Sequence, residues 1–377
     1  MSARREIVRL LKTCADARLP RFLAQGHADG GQNGPYGYPE TPARNTAHWL
    51  ITLCFLWRET GEEQYRQTAA AFEEYLMECQ KETACGAVQC ILRGGADHTD
   101  GLIGLSWVIE GLMYAHRTLG DQRALDCAEK IFLSQRFDPK TGLWKRVDVD
   151  GTEMGYDFTL NHQVWFCASG LMILSERENP ALRAQTDRFL DRLTKEYFGV
   201  RKSGLIRHYG AMRRPRRELM GLYARQWIKD WGLKAGVFSP EKFDIVRQEE
   251  GYHLFELYGF ALLKQYRPDL PLFARKKFRQ ALAYGQDAET LNRRLLPRDG
   301  LPNRYAYPYN SPAYEYPFAL QSLSGGAEEE TVRALLGIQQ DMCWDENALG
   351  MCRNTPDGET LTARLYELVR YCEMTAG

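Results

Sequence analysis

Two kinds of helical pattern alternate along this 377-residue chain. One kind is apolar almost all round: "NTAHWLITLCFLW" (45–57), "DGLIGLSWVIEGLMYA" (100–115), "NHQVWFCASGLMIL" (161–174), "GYHLFELYGFALL" (251–263), "SPAYEYPFALQSL" (311–323) and "TLTARLYELVRYC" (360–372). The other is amphipathic and charged, over roughly 3–24, 61–79, 121–135, 180–196, 270–286 and 327–341. A helix that is apolar on every face is buried, whereas an amphipathic one keeps a wet face. Six of the first kind alternating with six of the second predict an inner ring of helices inside an outer ring. That is an all-α (α/α)6 toroid, a double ring of six helical hairpins of roughly 50 to 60 residues each.

The connections have a matching rhythm. Turns from inner to outer helix are short ("RETGEEQ", "RTLGDQ", "SERENPA", "YRPDLP"). Those from outer to inner are long and rich in Gly, Pro and aromatics, as in "GHADGGQNGPYGYPETPAR" and "RFDPKTGLWKRVDVDGTEMGYDF". All long loops therefore fall on one face, at the N-termini of the inner helices, which is where a rigid scaffold usually presents function. The loop over 197–250 is the longest and carries "RHYGAMRRPRRELMGLYARQWIKDW", which reads as an extra helix or a lid. No linker composition interrupts the pattern, so residues 1–377 are expected to form a single catalytic domain with a lid-like insertion at 197–250.

The polar exceptions cluster on that same face. "TLNHQVWF" (159–166) opens a core-type helix with Asn161, His162 and Gln163, and other inner helices begin alike: Asn45 and His48; Asp97, His98 and Asp100; Glu250, Tyr252 and His253; Asn310, Tyr314 and Glu315. Five of the seven histidines (His48, His98, His162, His208, His253) map to this rim. Any one of them is equally well explained by helix capping or a satisfied polar contact. Six loops delivering such groups to one concavity point instead to an active site. Tyr36, Tyr38, Trp49, Trp144, Tyr156, Trp165, Tyr305, Tyr307, Tyr309 and Trp344 add flat rings suited to sugar faces. Arg207, Arg213, Arg214, Arg216 and Arg217 form the one dense basic patch, placed to hold a carboxylate. No HxH or HExxH spacing supports a metal site, and no cofactor motif is present.

Composition narrows the class. Lys plus Arg number 49 and Asp plus Glu number 49, so zero net charge offers no field for nucleic acid or an anionic membrane. The basic, amphipathic beginning lacks an apolar h-region and a small-residue cleavage site, and no apolar run reaches the roughly 20 residues of a membrane span. Ten scattered cysteines, several inside helical patterns, read as reduced thiols. A cytoplasmic location is therefore expected, with an acidic oligosaccharide as partner; nothing in the pattern fixes an oligomeric state.

With "DPKTGLW" (138–144) in a long loop of such a toroid, the chain resembles the (α/α)6 glycoside hydrolases, among them the unsaturated glucuronyl and rhamnogalacturonyl hydrolases and related β-glucuronidases. Locally, Asn161, His162 and Trp165, followed by Tyr252 and His253, resemble the alginate-lyase-like toroids. That second resemblance implies that Asn161 neutralises a uronate carboxylate while His162 and Tyr252 move the C5 proton and protonate the leaving oxygen.

Together these readings predict a uronic-acid-directed glycosidase that removes a glucuronyl or unsaturated uronyl residue by carboxyl general acid and base catalysis. Hydrolysis needs two carboxyl groups about the glycosidic oxygen, one held protonated by its surroundings. Asp97, Asp100, Asp157, Glu250 and Glu315 are the rim acids; Asp100, Asp157, Glu250, His162 and Tyr252 are the candidate catalytic residues. His48, Asp97, His98, Asn161, Trp165, Arg207, His208, His253, Tyr309 and Glu315 are the candidate substrate contacts. β-Elimination through His162 and Tyr252 is the alternative, with a sugar epimerase or a non-catalytic sugar-binding protein behind it. At a helix N-terminus the dipole disfavours an imidazolium, so His162 is expected to be largely neutral near pH 7.

Overall fold

A computed structural model describes residues 2–95, 97–209, 245–287, 295–296 and 303–376. The centre of the expected lid, residues 210–244 with Arg213, Arg214, Arg216 and Arg217, lies outside the described residues.

The apolar segments form the helices α2 (Ala43–Thr60), α4 (Gly101–Leu119), α6 (Leu160–Glu176), α8 (Ile245–Tyr266) and α10 (Pro312–Ser324). The sixth is α12 (Gly358–Ala363), which runs through a 3-10 turn (Arg364–Tyr366) into α13 (Glu367–Met374). The amphipathic ones form α1 (Ala3–Gln25), α3 (Glu63–Lys81), α5 (Gln122–Leu133), α7 (Pro180–Arg192), α9 (Lys276–Gln286) and α11 (Glu329–Cys343). Each inner helix packs on the next, α2 on α4, α4 on α6, α6 on α8, α8 on α10 and α10 on α13, and the α12–α13 segment returns to α2. The ring therefore closes, as the alternation of buried and half-buried helices predicts. The fold is the (α/α)6 toroid.

Local chemistry sets the ends of these helices. Ser2, Asp121, Asn179 and Ser311 cap α1, α5, α7 and α10 by accepting backbone N–H groups in the first turn. Gly61 and Gly120 end α2 and α4 in the left-handed conformation (φ 71° and 80°), which lets the chain reverse into the outer ring within a few residues. The long loops on the opposite face carry small sheets. β1 (Arg136–Asp138), β2 (Leu143–Val147) and β3 (Glu153–Tyr156) form an antiparallel meander, with "DPKTGLW" at its first turn. β4 (Trp344–Asp345) and β5 (Gly350–Met351) pair in the last loop.

The axis of the toroid is filled rather than open. Arg370 donates Nη2 to Glu110 Oε2 at 2.5 Å, the indole Nε1 of Trp165 donates to Glu110 Oε1, and Tyr258 accepts from Arg370 Nη1 at 3.2 Å. All four residues are buried. A buried charge is tolerated only when paired and hydrogen-bonded, and this knot meets that condition. Above it, toward the long loops, the axis widens into a cavity. All ten cysteines are free thiols. Among the described residues no helix is long and apolar enough to cross a membrane.

Candidate active site

The cavity has a volume of about 310 Å³ and receives side chains from all six inner helices or their leading loops. Its chemistry concentrates at the start of α4 and α6. Asp100 is the N-cap residue of α4 but makes no side-chain cap bond, and its backbone is left-handed (φ 59°, ψ 41°). Two other carboxylates take the capping duty. Asp97 Oδ1 accepts from Gly101 N at 2.7 Å and from Thr99 Oγ1 at 3.0 Å, while its Oδ2 pairs with Arg146 Nη1 at 2.8 Å. Asp157 Oδ2 accepts from Leu102 N at 3.2 Å, and its Oδ1 accepts from Thr159 N at 3.2 Å. The Asp100 carboxyl is thereby left to the cavity, with one donor, Asn33 Nδ2, at 3.0 Å from Oδ1. A left-handed non-glycine residue is a local strain that persists only where its surroundings over-determine it, most often at functional sites.

His162, in the first turn of α6, places Nδ1 2.8 Å from Asp157 Oδ2 and leaves 23 % of its side chain open. This dyad sits directly on Gly101: a Cβ there would fall 2.7 Å from Asp157 Oδ2 and 3.1 Å from His162 Nδ1, so no other residue fits. The electrostatics follow. Burial favours the protonated form of Asp157, but the charge and hydrogen bond of His162 outweigh it and hold the carboxyl at about 2. Burial likewise disfavours the imidazolium of His162, yet Asp157 raises its pKa above the ordinary histidine value, aided by Asp100 and Asp97. The direction of this shift runs against the expectation of a neutral His162. Three carboxylates at the entries to α4 and α6, Asp97, Asp100 and Asp157, raise the imidazole pKa against the direction expected from the helix dipole. Asp100 shifts the other way from Asp157. Burial raises its carboxyl, Arg44 and His162 oppose, and Asp97 adds to the rise.

The opposite wall is aromatic. Along α8, Gln248, Tyr252 and Phe255 face the cavity at helical spacing. Tyr252 bonds to Tyr36 hydroxyl to hydroxyl at 2.9 Å, and His208 lies over the Tyr252 ring at 4.6 Å with its Nδ1 3.0 Å from Glu256 Oε1. Burial drives the His208 imidazole down to about 3 and the Glu256 carboxyl well up, so the pair is neutral.

The structure thus brings Asp97, Asp100, Asp157, Asn161, His162, His208, Tyr252 and Tyr309 into one cavity. The other expected residues lie elsewhere. His48 is sealed in the core between Trp107 (5.3 Å) and Tyr366 (4.2 Å), with no hydrogen-bond partner on either nitrogen. His253 follows Tyr252 and therefore turns about 100° away from the cavity stripe; it accepts from Ile206 N and meets Ala281 O on the outer side. Trp165 is core, stacked at 4.5 Å behind Phe255, which does line the cavity. Glu315 belongs to a buried cluster in which Arg364 donates to it at 3.0 Å and to Glu367 at 2.7 Å. His98 pairs with Asp148 at 2.9 Å on a half-exposed loop. Glu250, on the α8 turn between Gln248 and Tyr252, and the exposed Arg207 are not part of the cavity wall.

Sequence reasoning missed the cavity's cations, Arg44, Arg146 and Arg364, and its amide Asn33. A signal for two of them existed. Arg44 and Arg364 are charged residues in segments that pack as inner helix, where burial demands a reason.

No family model matches the chain. Over 368 residues it is 33 % identical to archaeal glycosylation protein Q of Haloferax volcanii, covering 96 % of each chain. The chain belongs to the family of that protein. Among solved structures it is similar to an unsaturated glucuronyl hydrolase specific for heparin (14 % identical, TM-score 0.62, covering 98 % of this chain and 96 % of that one). Cellobiose 2-epimerase from Spirochaeta thermophila (14 %, 0.63, 98 % and 97 %) and a D-mannose isomerase (12 %, 0.61, 98 % and 97 %) are similar in the same way. At these identities the likeness is one of fold, and it bears out the resemblance to toroid carbohydrate enzymes drawn from the sequence.

Proposed function

We propose that the protein is a sugar-processing enzyme that removes a uronic acid residue from an oligosaccharide by hydrolysis, with Asp100 as proton donor and Asp157 as the ionised partner. The observation that carries this reading is the opposed state of two carboxyl groups in one cavity. Burial holds Asp100 toward its protonated form while His162 keeps Asp157 charged. Carboxyls pushed apart in this way mark acid and base assignments, and glycoside hydrolysis needs such a pair. The strained backbone of Asp100 and a cavity at the small end of ligand sites, which run to roughly 300–1,000 Å³, are consistent with an acid held against a sugar. The name of the curated relative ties that protein to glycosylation, which fits saccharide chemistry.

Elimination through His162 and Tyr252 is disfavoured. It asks for a base, but Asp157 raises the His162 pKa, which works against the free imidazole, and burial raises the Tyr252 phenol. A different second reading has its own support. His162 and His208 share the cavity with pKa values shifted in opposite directions, one raised by Asp157 and the other lowered by burial, which suits proton transfer at carbon in an epimerisation or isomerisation.

The test is to incubate the protein with glucuronyl oligosaccharides, and separately with free uronic acids, in D₂O. Hydrolysis gives new reducing ends and no carbon-bound deuterium. Deuterium in the recovered sugar without new reducing ends overturns hydrolysis in favour of the second reading. Absorbance of a 4,5-unsaturated product would restore elimination.

A further inference from the structure

Among the described residues, four hydrogen-bond donors on cavity-lining residues have no partner; one, Arg146 Nε, belongs to the side chain that pairs with Asp97, and the other three lie together. These three are Arg44 Nε, the indole Nε1 of Trp107 and the hydroxyl of Tyr309. Their residues are only 2 %, 5 % and 8 % exposed, so solvent does not replace the missing acceptors in the ordinary way. A buried donor left unmade is costly, and native structures keep few of them without a reason.

The three belong to one assembly. The Arg44 guanidinium lies over the Trp107 ring at 4.0 Å and 5.7 Å from the centroid of Tyr309. Its Nη1 is already committed, to Glu40 Oε1 at 2.7 Å and to Asn33 Oδ1 at 3.5 Å. Arg364, bound to Tyr309 O at 2.6 Å and Asn310 Oδ1 at 2.8 Å, stands 4.9 Å from the centroid of the Tyr309 ring. The rings are therefore held by two guanidinium groups, and the unmade bonds belong to neighbouring side chains that line one cavity. Burial also pushes the Glu40 carboxyl up to about 7, so it offsets the Arg44 charge only in part near neutrality. What such a wall lacks is an acceptor with several lone pairs and a negative charge.

We infer that Arg44, Trp107 and Tyr309 form the subsite that receives the carboxylate of the substrate's uronic acid, a role the sequence assigned to the arginines of the 197–250 loop. A carboxylate offers about four lone-pair sites, enough for all three donors. Asn161 Oδ1, a buried acceptor without a partner on a residue lining the same cavity, is then available to a hydroxyl of the same ring. This inference rests on the reading of the substrate as an acidic saccharide and specifies how the acid is selected.

The experiment uses the full chain carrying Asp100→Asn, so that bound sugar is not consumed. Calorimetry compares glucuronic acid, glucose and inorganic phosphate. Glucuronic acid is expected to bind at least tenfold more tightly than either. Trp107→Phe and Tyr309→Phe keep the ring and its stacking but delete a donor. Each is expected to weaken glucuronic acid by about tenfold, in line with a hydrogen bond to a charged group, and to leave glucose unchanged. Equal affinity for acid and neutral sugar, equal losses on both, or no sugar binding at all overturns the subsite. Phosphate bound as tightly as glucuronic acid overturns it too, leaving a bare anion hole. Selective acid binding by a protein that never releases reducing ends keeps the subsite and rejects hydrolysis, so the two ideas fail separately.

Discussion

Asp157 Oδ2 lies 2.8 Å from His162 Nδ1 and simultaneously accepts the Leu102 N–H at the start of α4. One carboxylate thus caps one inner helix and raises the pKa of the histidine of the next, and Gly101 is what lets the two approach. Removing that carboxylate has a clear consequence. In Asp157→Asn the imidazole keeps its burial but loses its counter-charge, so the His162 pKa should fall from above to below the ordinary value of about 6.5. NMR titration of the His162 ring protons measures this directly; an unchanged midpoint would mean that Asp157 does not set the charge.

The same pair shapes stability against pH. The Asp157 carboxyl sits at about 2 in the folded chain, below its unfolded value, so its contribution is complete above roughly pH 4 and is lost as pH falls toward 2. The His162 pKa is raised, so its contribution is complete below roughly pH 6.5 and is lost as pH climbs through the folded value. Thermal melts should therefore show wild type exceeding Asp157→Asn most between about pH 4 and 6.5. A difference that stays constant from pH 2 to 9 would contradict the ionic account.

Glu256 is expected to act through His208. Its protonated carboxyl and the stacked Tyr252, one helical turn before it on α8, clamp the imidazole from two sides. Glu256→Gln retains a neutral hydrogen-bonding group and should keep kcat within a few-fold of wild type. Glu256→Leu frees the ring and should lower kcat by about tenfold or more, within the range for misplacing an acid–base group. Equal activity of the two variants would reduce Glu256 to packing.

Arg364 should be structural first. It donates to Glu315, Glu367, Tyr309 O and Asn310 Oδ1, all buried. Arg364→Ala leaves two carboxylates unpaired in the core and should destabilise the fold by about 3–5 kcal/mol. His48→Leu should do the reverse. It replaces a buried imidazole whose two nitrogens have no partners with an apolar side chain of similar size, so the melting temperature should hold or rise and turnover should be retained. A large loss of kcat in His48→Leu would return His48 to the active site.

These contrasts show what the chain makes legible. The ring order of helices follows from burial on all faces versus one, and α2, α4, α6, α8 and α10 cover every apolar segment expected of them. The polar start of α6 was readable because Asn161 and His162 interrupt an apolar run. Which side of a helix faces the cavity was not: Tyr252 and His253 differ by one residue and face opposite layers, and periodicity fixes the angle between them without fixing the zero. His48 failed for the same reason. Arg146 was hidden because it sits on β2, in a loop whose strands are too short to show alternation.

The most direct test of the account is the turnover of Asp100→Asn on a glucuronyl oligosaccharide. Asn33 Nδ2 still has an oxygen to bond, so the account predicts an unchanged melting temperature. Calorimetric affinity for the product uronic acid should change by no more than a few-fold. Reducing-sugar release should fall by at least about a hundredfold, as expected when a positioned proton donor is lost. Near-normal release by a folded Asp100→Asn protein would contradict the central claim that this strained, half-buried carboxyl is the acid.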